Sequence, residues 1–351
     1  MPSGFLSRSQ HARCCIKIWC PFGFILAFLL LTMPRPLRFM PEPHTLFEVT
    51  LRCMQQRFLL RPSKRLNALV LGVLSMAMKN QPDVCVYVFS FASNHFHIIL
   101  SAPNHKALSD FMCFINTNLA KEAGRLHNWF GPFWSRRYHA SAILDRESMI
   151  ERLTYVLAHG VKENLVARCS QWPGANCAKA LTSGEPLLGI WVDRSGLYTA
   201  NRSGENVPIR DFERHVEVQL SRLPWFADLS DAEHQAKIQE IIEEIQQSAA
   251  IKRLKEGKRV MGAKRVCRQN PHARPRKITR SPAPKCHAGS KDKWLRHVES
   301  YQLFKVLYRQ AVNFWKAGSK DVEFPSGCFL PGGEFLLAGN TGPPFPSPAA
   351  P

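Results

Sequence analysis

The segment SNHFHIIL, residues 93–100, carries two histidines one residue apart at the head of an apolar run. Along a strand, residues i and i+2 point to the same face, so His95 and His97 project together while Phe96, Ile98 and Leu100 face the other way. Two imidazoles side by side can chelate one divalent ion. Taken alone, the pair is better explained as two satisfied histidines on a half-buried strand. Further along, Tyr155 and His159 are four residues apart, the spacing of neighbours on one helical face. If that helix packs beside the strand, His159 completes a three-histidine site and Tyr155 stands next to it. A phenol so placed is a candidate nucleophile. Its ordinary pKa of about 10 leaves little phenolate at neutral pH, so an ion would act mainly by polarising the phosphate under attack. Alone, Tyr155 too reads as a core-facing helical residue.

Whether these side chains meet depends on the elements around them. TLFEVTLR has Leu46, Glu48 and Thr50 alternating with Phe47, Val49 and Leu51, the period of a strand. Ser63 can cap a helix whose apolar stripe includes Leu66, Leu69, Val70, Val73 and Leu74. VCVYVFSF reads as a buried strand, returned antiparallel by the turn ASN into HFHIIL. NHKALSDFMCFINTNLAKEAGR predicts a second helix ending near Gly124, FWSRRYHASAIL a fourth strand, and DRESMIERLTYVLAH a third helix ending at Gly160. The order strand, helix, strand, strand, helix, strand predicts an α+β fold of the ferredoxin-like split βαβ type. It would have one antiparallel sheet, helices on one face, and an appended helix carrying the tyrosine.

Beyond Arg168 the character changes. Residues 171–205 are rich in Gly, Ser and Trp and predict loop or small packing elements. SDAEHQAKIQEIIEEIQQ carries a capping box, Ser230 with Glu233, and an apolar stripe of Ile238, Ile241, Ile242 and Ile245. Residues 251–280 hold twelve Lys or Arg against one Glu, so the basic excess is concentrated in one arm. A last amphipathic helix bears Tyr301, Phe304, Tyr308 and Trp315. The Pro and Gly tail after it has the composition of a disordered segment.

The 351 residues carry 47 Lys plus Arg against 27 Asp plus Glu, a formal charge of +20 that favours a polyanionic partner, nucleic acid first and acidic membrane second. The eleven cysteines are scattered without a C-x-x-C pair, which points to reduced thiols in the cytoplasm rather than a disulfide framework or a zinc knuckle. Residues 18–34 are uncharged and follow Arg8, Arg13 and Lys17, a pattern shared by signal peptides and short membrane anchors. No small-x-small cleavage site follows. The preferred alternative is that residues 1–32 extend the reading frame upstream and that Met33 begins the working protein, leaving no membrane partner.

NHFHIIL, FWSRRYHAS and LTYVLAHGVKENLV, in that order, resemble the REP-associated tyrosine transposases, a branch of the single-tyrosine HUH transposases of the insertion-sequence 200-like type. PRPLRFMPEPHTLFEVTLRCMQQRFLLRPS also looks like the opening of proteins in this branch. The resemblance covers residues 33–180 and is looser beyond. It implies that His95 and His97 are metal ligands and that Tyr155 is the nucleophile. The third ligand would be His159, where the branch commonly has Asn or Gln, followed by Gly160 in place of the usual proline. An all-imidazole set suits Zn, Mn or Ni better than Mg; the cofactor expected from the resemblance is a divalent ion, Mg²⁺ or Mn²⁺, with no small-molecule cofactor.

By the same resemblance the partner is a single-stranded, hairpin-forming DNA repeat, cut through a 5′-phosphotyrosine that leaves a free 3′-hydroxyl. Later attack by a 3′-hydroxyl rejoins strands, and a monomer is expected, with a dimer as the alternative. Arg136 and Arg137 suit phosphate positioning, since a guanidinium fork matches phosphate oxygens; solvated charge at a strand end is the plainer reading. Trp134 reads as core, and Tyr138 is the runner-up nucleophile. In the basic arm Lys252, Arg253, Lys258, Arg259, Lys264 and Arg265 are expected to grip DNA phosphates, against the plainer reading of a solvated disordered arm. The chain thus divides into residues 1–32, the upstream extension or a signal or anchor; 33–180, the catalytic domain; 181–290, a helical and basic DNA-contacting extension; and 291–351, the terminal helix and tail. Two other functions compete: a nucleic-acid-binding protein of this fold that has lost cleavage, and a membrane-anchored basic protein.

Overall fold

Strand β1 (Leu46–Arg52) lies in the middle of a five-stranded sheet, because its residues alternate between two faces that are both covered. The computed structural model describes residues 39–204, 207–276, 284–319 and 321–329. The uncharged stretch 18–34, Met33 and the Pro and Gly tail beyond residue 329 lie outside them. Among the described residues no helix is long and apolar enough to cross a membrane.

After β1 comes helix α1 (Lys64–Asn80), whose first turn is closed by Ser63 Oγ accepting from Leu66 N at 3.1 Å, as the cap residue predicts. The expected stripe of Leu66, Leu69, Val70, Val73 and Leu74 is buried. Strands β2 (Cys85–Phe91) and β3 (His95–Ser101) form the antiparallel hairpin. Helix α2 (His105–His127) starts at the Asn104 cap and runs past Gly124 to Asn128, which takes the left-handed conformation that ends it. Strand β4 (His139–Ile143) and helix α3 (Arg146–Leu157) follow.

The sheet order is β2-β3-β1-β4-β7, antiparallel throughout except for β7 (Cys286–His287), which runs parallel to β4. One face presents Glu48, Thr50, His95, His97, Ser141 and His287, as the strand register requires. The other presents Phe47, Val49, Phe96, Ile98 and Leu100. Phe96 meets Trp134 edge to face, and the Trp134 indole donates to Asn116 O of α2 at 2.9 Å, so α2 and the α1 packed on it cover this second face. Helix α3 lies over the histidine face.

One expectation needs correction. The segment FWSRRYHASAIL is a strand only from His139; before it Trp134 makes an isolated bridge to Cys53, and Arg136 and Arg137 sit in an exposed bend. Residues 171–205, expected to be loop or small packing elements, contain three short ones, α4 (Ala178–Ser183), β5 (Leu187–Val192) and α5 (Arg194–Arg202). Strand β5 pairs with β6 (Glu213–Val218) as a hairpin laid against α1. That approach explains a glycine in the middle of α1: a Cβ on Gly72 would lie 2.0 Å from Ile190 O. The strand LLGIWV was hidden because it is half-exposed and its partner is distant.

Helix α6 (Asp231–Lys255) begins with both halves of the expected capping box, Ser230 and Glu233, and buries the predicted isoleucines. The basic run that follows departs from the plainer reading of a solvated disordered arm. It folds back rather than waving in solvent: Met261 N donates to Asn164 O (2.8 Å), α7 (Ala263–Cys267) forms, and Phe58 N donates to Ala273 O (3.1 Å). Helix α8 (Lys291–Lys316) is the last helix among the described residues, with Phe304 buried.

Candidate active site

His95 and His97 leave the same face of β3, opposite Arg52 and Thr50 of β1. His159 comes from the turn after α3, because the helix stops at Leu157 rather than at Gly160 as expected. Gly160, at φ +92°, makes the reversal, and its carbonyl accepts from Leu165 N at 2.8 Å. His159 therefore reaches the strand histidines from a tight turn rather than from the helical face predicted for it. Its Nε2 is 2.9 Å from His95 Nε2, and its ring centre 4.9 Å from that of His97. One ligand atom from each of the three lies within 4.8 Å of the others.

Two of the rings are fixed from behind. His97 Nδ1 donates to Glu48 Oε1 at 2.6 Å, and His95 Nδ1 donates to Asn94 Oδ1 at 2.7 Å. Each of these contacts leaves Nε2 as the lone-pair nitrogen facing the cluster. His159 Nδ1 is buried without a hydrogen-bond partner, so its tautomer is the least constrained of the three.

Burial is the largest cause holding His95 and His159 well below the ordinary histidine range, with neighbouring histidines adding to it. Burial also lowers His97, against an opposing pull from Glu48. All three are thus neutral, the form that binds metal. Glu48 behaves in the opposite sense. Burial would raise its pKa, but contacts from His287 and His97 outweigh this and hold it well below the usual carboxylate range. Three neutral imidazoles around one point fit a divalent ion, Zn, Mn or Ni more readily than Mg.

Tyr155, in the last turn of α3, lies against the cluster, its ring centre 5.3 Å from that of His97 and 6.1 Å from that of His159. Tyr138, the runner-up, is buried in the core beneath Arg137. Burial, followed by the charge of Glu48, raises the Tyr155 pKa above its usual value, and Arg152 opposes the rise. Two cations flank the ring: Lys162 Nζ at 3.1 Å from its centre and the Arg152 guanidinium at 4.7 Å. Burial brings the Lys162 pKa down to about 8.

Of the expected phosphate contacts, Arg136 and Arg137 are exposed, and the bend they occupy starts where Ser135 N donates to Arg52 O (3.0 Å), level with His95. Lys252, Lys258, Arg259, Lys264 and Arg265 are exposed and Arg253 is half-buried. The basic segment is tied to both stretches that flank the cluster, residues 164–165 and 57–61. Sequence reasoning missed Glu48, Asn94, Arg152, Lys162 and His287. Glu48 had a readable signal, the one acid on a strand whose neighbours on either side are apolar. His287 had none.

No family model matches the chain, and neither does any curated protein. Among solved structures, it is similar to a REP-associated tyrosine transposase bound to a REP hairpin, at 16% identity and a TM-score of 0.35, over 41% of this chain and 82% of that one. It is also similar to a protein of Deinococcus radiodurans R1 provisionally named a transposase, at 11% identity and a TM-score of 0.26, over 36% of this chain and 95% of that one. Likenesses this slight carry no argument about fold or chemistry, which rest on the residues themselves.

Proposed function

We propose that this chain is a metal-dependent DNA transposase or endonuclease of the HUH single-tyrosine kind, acting on single-stranded, hairpin-forming DNA. The observation that carries the reading is the meeting of three neutral histidines with the Tyr155 ring against them, from two elements distant in sequence. The mixed α+β fold, with a mostly antiparallel five-stranded sheet ordered β2-β3-β1-β4-β7, supports the reading.

In this reading His95, His97 and His159 hold a divalent ion. When bound, the ion supplies Lewis-acid polarisation of the scissile phosphate. The Tyr155 oxygen attacks phosphorus; the new bond is a 5′-phosphotyrosine ester and the bond broken is that to the 3′ oxygen. The phenol proton is balanced by the proton the 3′ oxygen gains on leaving. Lys162 and Arg152 favour charge on the phenol oxygen, while Arg136, Arg137 and the exposed basic residues of 252–265 bind the DNA backbone.

The test is incubation of the full chain with a labelled single-stranded hairpin and Mn²⁺ or Mg²⁺. A covalent adduct is expected, and Tyr155→Phe should abolish it while leaving hairpin binding intact. Hairpin binding without an adduct under any metal would replace this function with that of a non-catalytic DNA-binding protein.

A further inference from the structure

The Glu48 carboxylate is buried, 5% exposed, and uses both oxygens. Oε1 accepts from His97 Nδ1, while Oε2 lies 2.9 Å from His287 Nε2, within ion-pair distance but off the line of a hydrogen bond, and 3.7 Å from the Arg152 guanidinium. His287 therefore touches the back of the group that orients His97, although 190 positions separate the two histidines in the chain.

His287 is delivered by a strap, residues 284–293, that is anchored at several points. His139 Nε2 and Ser141 Oγ both donate to Pro284 O, at 2.9 and 3.0 Å. Strand β7 pairs with β4 in the register Ile143 to His287, and Leu144 N donates to His287 O at 3.0 Å. The α3 cap then takes the far end, with Gly289 N donating to Asp145 Oδ2 (2.8 Å) and Lys293 Nζ 3.3 Å from the same oxygen. The last of these anchors sits on the residue that starts the tyrosine helix.

We propose that His287 is a positioning residue for the metal centre: the C-terminal strap brings it to Glu48, and by holding Glu48 Oε2 it fixes the carboxylate that points His97 Nε2 into the cluster. The proposal rests on the three histidines being metal ligands. A buried carboxylate steadied at one oxygen only by a guanidinium 3.7 Å away can rotate about its last torsion, and His97 would then lose the acceptor that sets its tautomer. The centre is in this sense completed by a segment far outside the stretch that carries its ligands.

The experiment titrates the full-length protein with Mn²⁺ by calorimetry, in the wild type and in the His287→Ala, His287→Gln, Glu48→Gln and double Glu48→Gln/His287→Ala variants. Each is also melted in chelator to register folding without metal. Loss of an outer partner typically weakens a metal site about 10–100-fold, so His287→Ala and Glu48→Gln should each fall in that range. His287→Gln, which keeps a donor, should recover most of the loss. In the Glu48→Gln background, His287→Ala should cost nothing further, since the two act through one carboxylate.

Affinity within about twofold of wild type in His287→Ala overturns the proposal. So does full additivity in the double variant, or a loss of affinity that follows the chelator melting temperature across the set. A wild type that binds no divalent ion overturns the metal reading itself, and this proposal with it.

Discussion

Lys162 Nζ stands 3.1 Å from the centre of the Tyr155 ring, over its face. A cation over an aromatic face is attracted by the ring's quadrupole and favours negative charge on the oxygen attached to it. Lys162→Met should therefore slow adduct formation, by roughly tenfold at neutral pH, with hairpin affinity little changed. The lysine loses its proton near pH 8, so the gap between wild type and variant should narrow as pH rises through that value. Equal rates at neutral pH would reduce Lys162 to a packing residue.

Gly160 carries His159 into the cluster at a left-handed φ of +92°, and a Cβ there would lie 2.6 Å from Trp172 Cε3. Gly160→Ala should cost about 1–3 kcal/mol of stability, from backbone strain and the displaced indole. Denaturant unfolding measures the first effect. Weaker Mn²⁺ binding by the folded variant would register the accompanying shift of His159.

Burial of His127 and of His297 lowers each pKa to about 4. Both stay neutral when folded, whereas the unfolded chain takes up protons below about pH 6.5. Their contribution is complete above that pH and is lost as pH falls towards 4, on the order of 2–3 kcal/mol each. Asp145, lowered to about 2 by hydrogen bonds that overcome its burial, loses its contribution only at lower pH. Melting temperatures should thus drop between about pH 6.5 and about pH 4.5, and His297→Phe should make that drop shallower.

The exposed Lys258, Arg259, Lys264 and Arg265 belong to a segment folded onto the body near the cluster. Each phosphate contact on single-stranded DNA adds about 0.7 to the slope of log affinity against log salt. Replacing all four with alanine should lower the slope by up to about 3, with the largest affinity loss at low salt. An unchanged slope would place the DNA path elsewhere.

The amphipathic stripes and caps of α1 and α6 were legible because they depend on residues three or four apart: Ser63 and Ser230 each cap the helix they precede, as Asp145 does for α3. The alternation in β1 and β3 fixed which residues share a face, and so put His95 and His97 side by side. Local spacing could not supply the register between strands. Only the pairing of Thr50 with His97 brings Glu48 within reach of His97 Nδ1, and only the docking of β7 beside β4 brings His287 to Glu48.

The same limit explains the half-exposed β5–β6 hairpin on α1, whose pattern is too mixed for a period to stand out, and the basic segment, whose charge hid a folded path held mostly by backbone hydrogen bonds. By itself the sequence determined that two histidines share a strand face, that a tyrosine and a third histidine lie four residues apart, and most of the helices and strands that carry them, since those follow from short-range geometry. The tertiary structure alone decided that His159 arrives from a glycine turn, that Lys162 covers the tyrosine, and that His287 lies behind Glu48. Each of these depends on side chains far apart in the chain being buried together, where one carboxylate or one turn determines how the others are held.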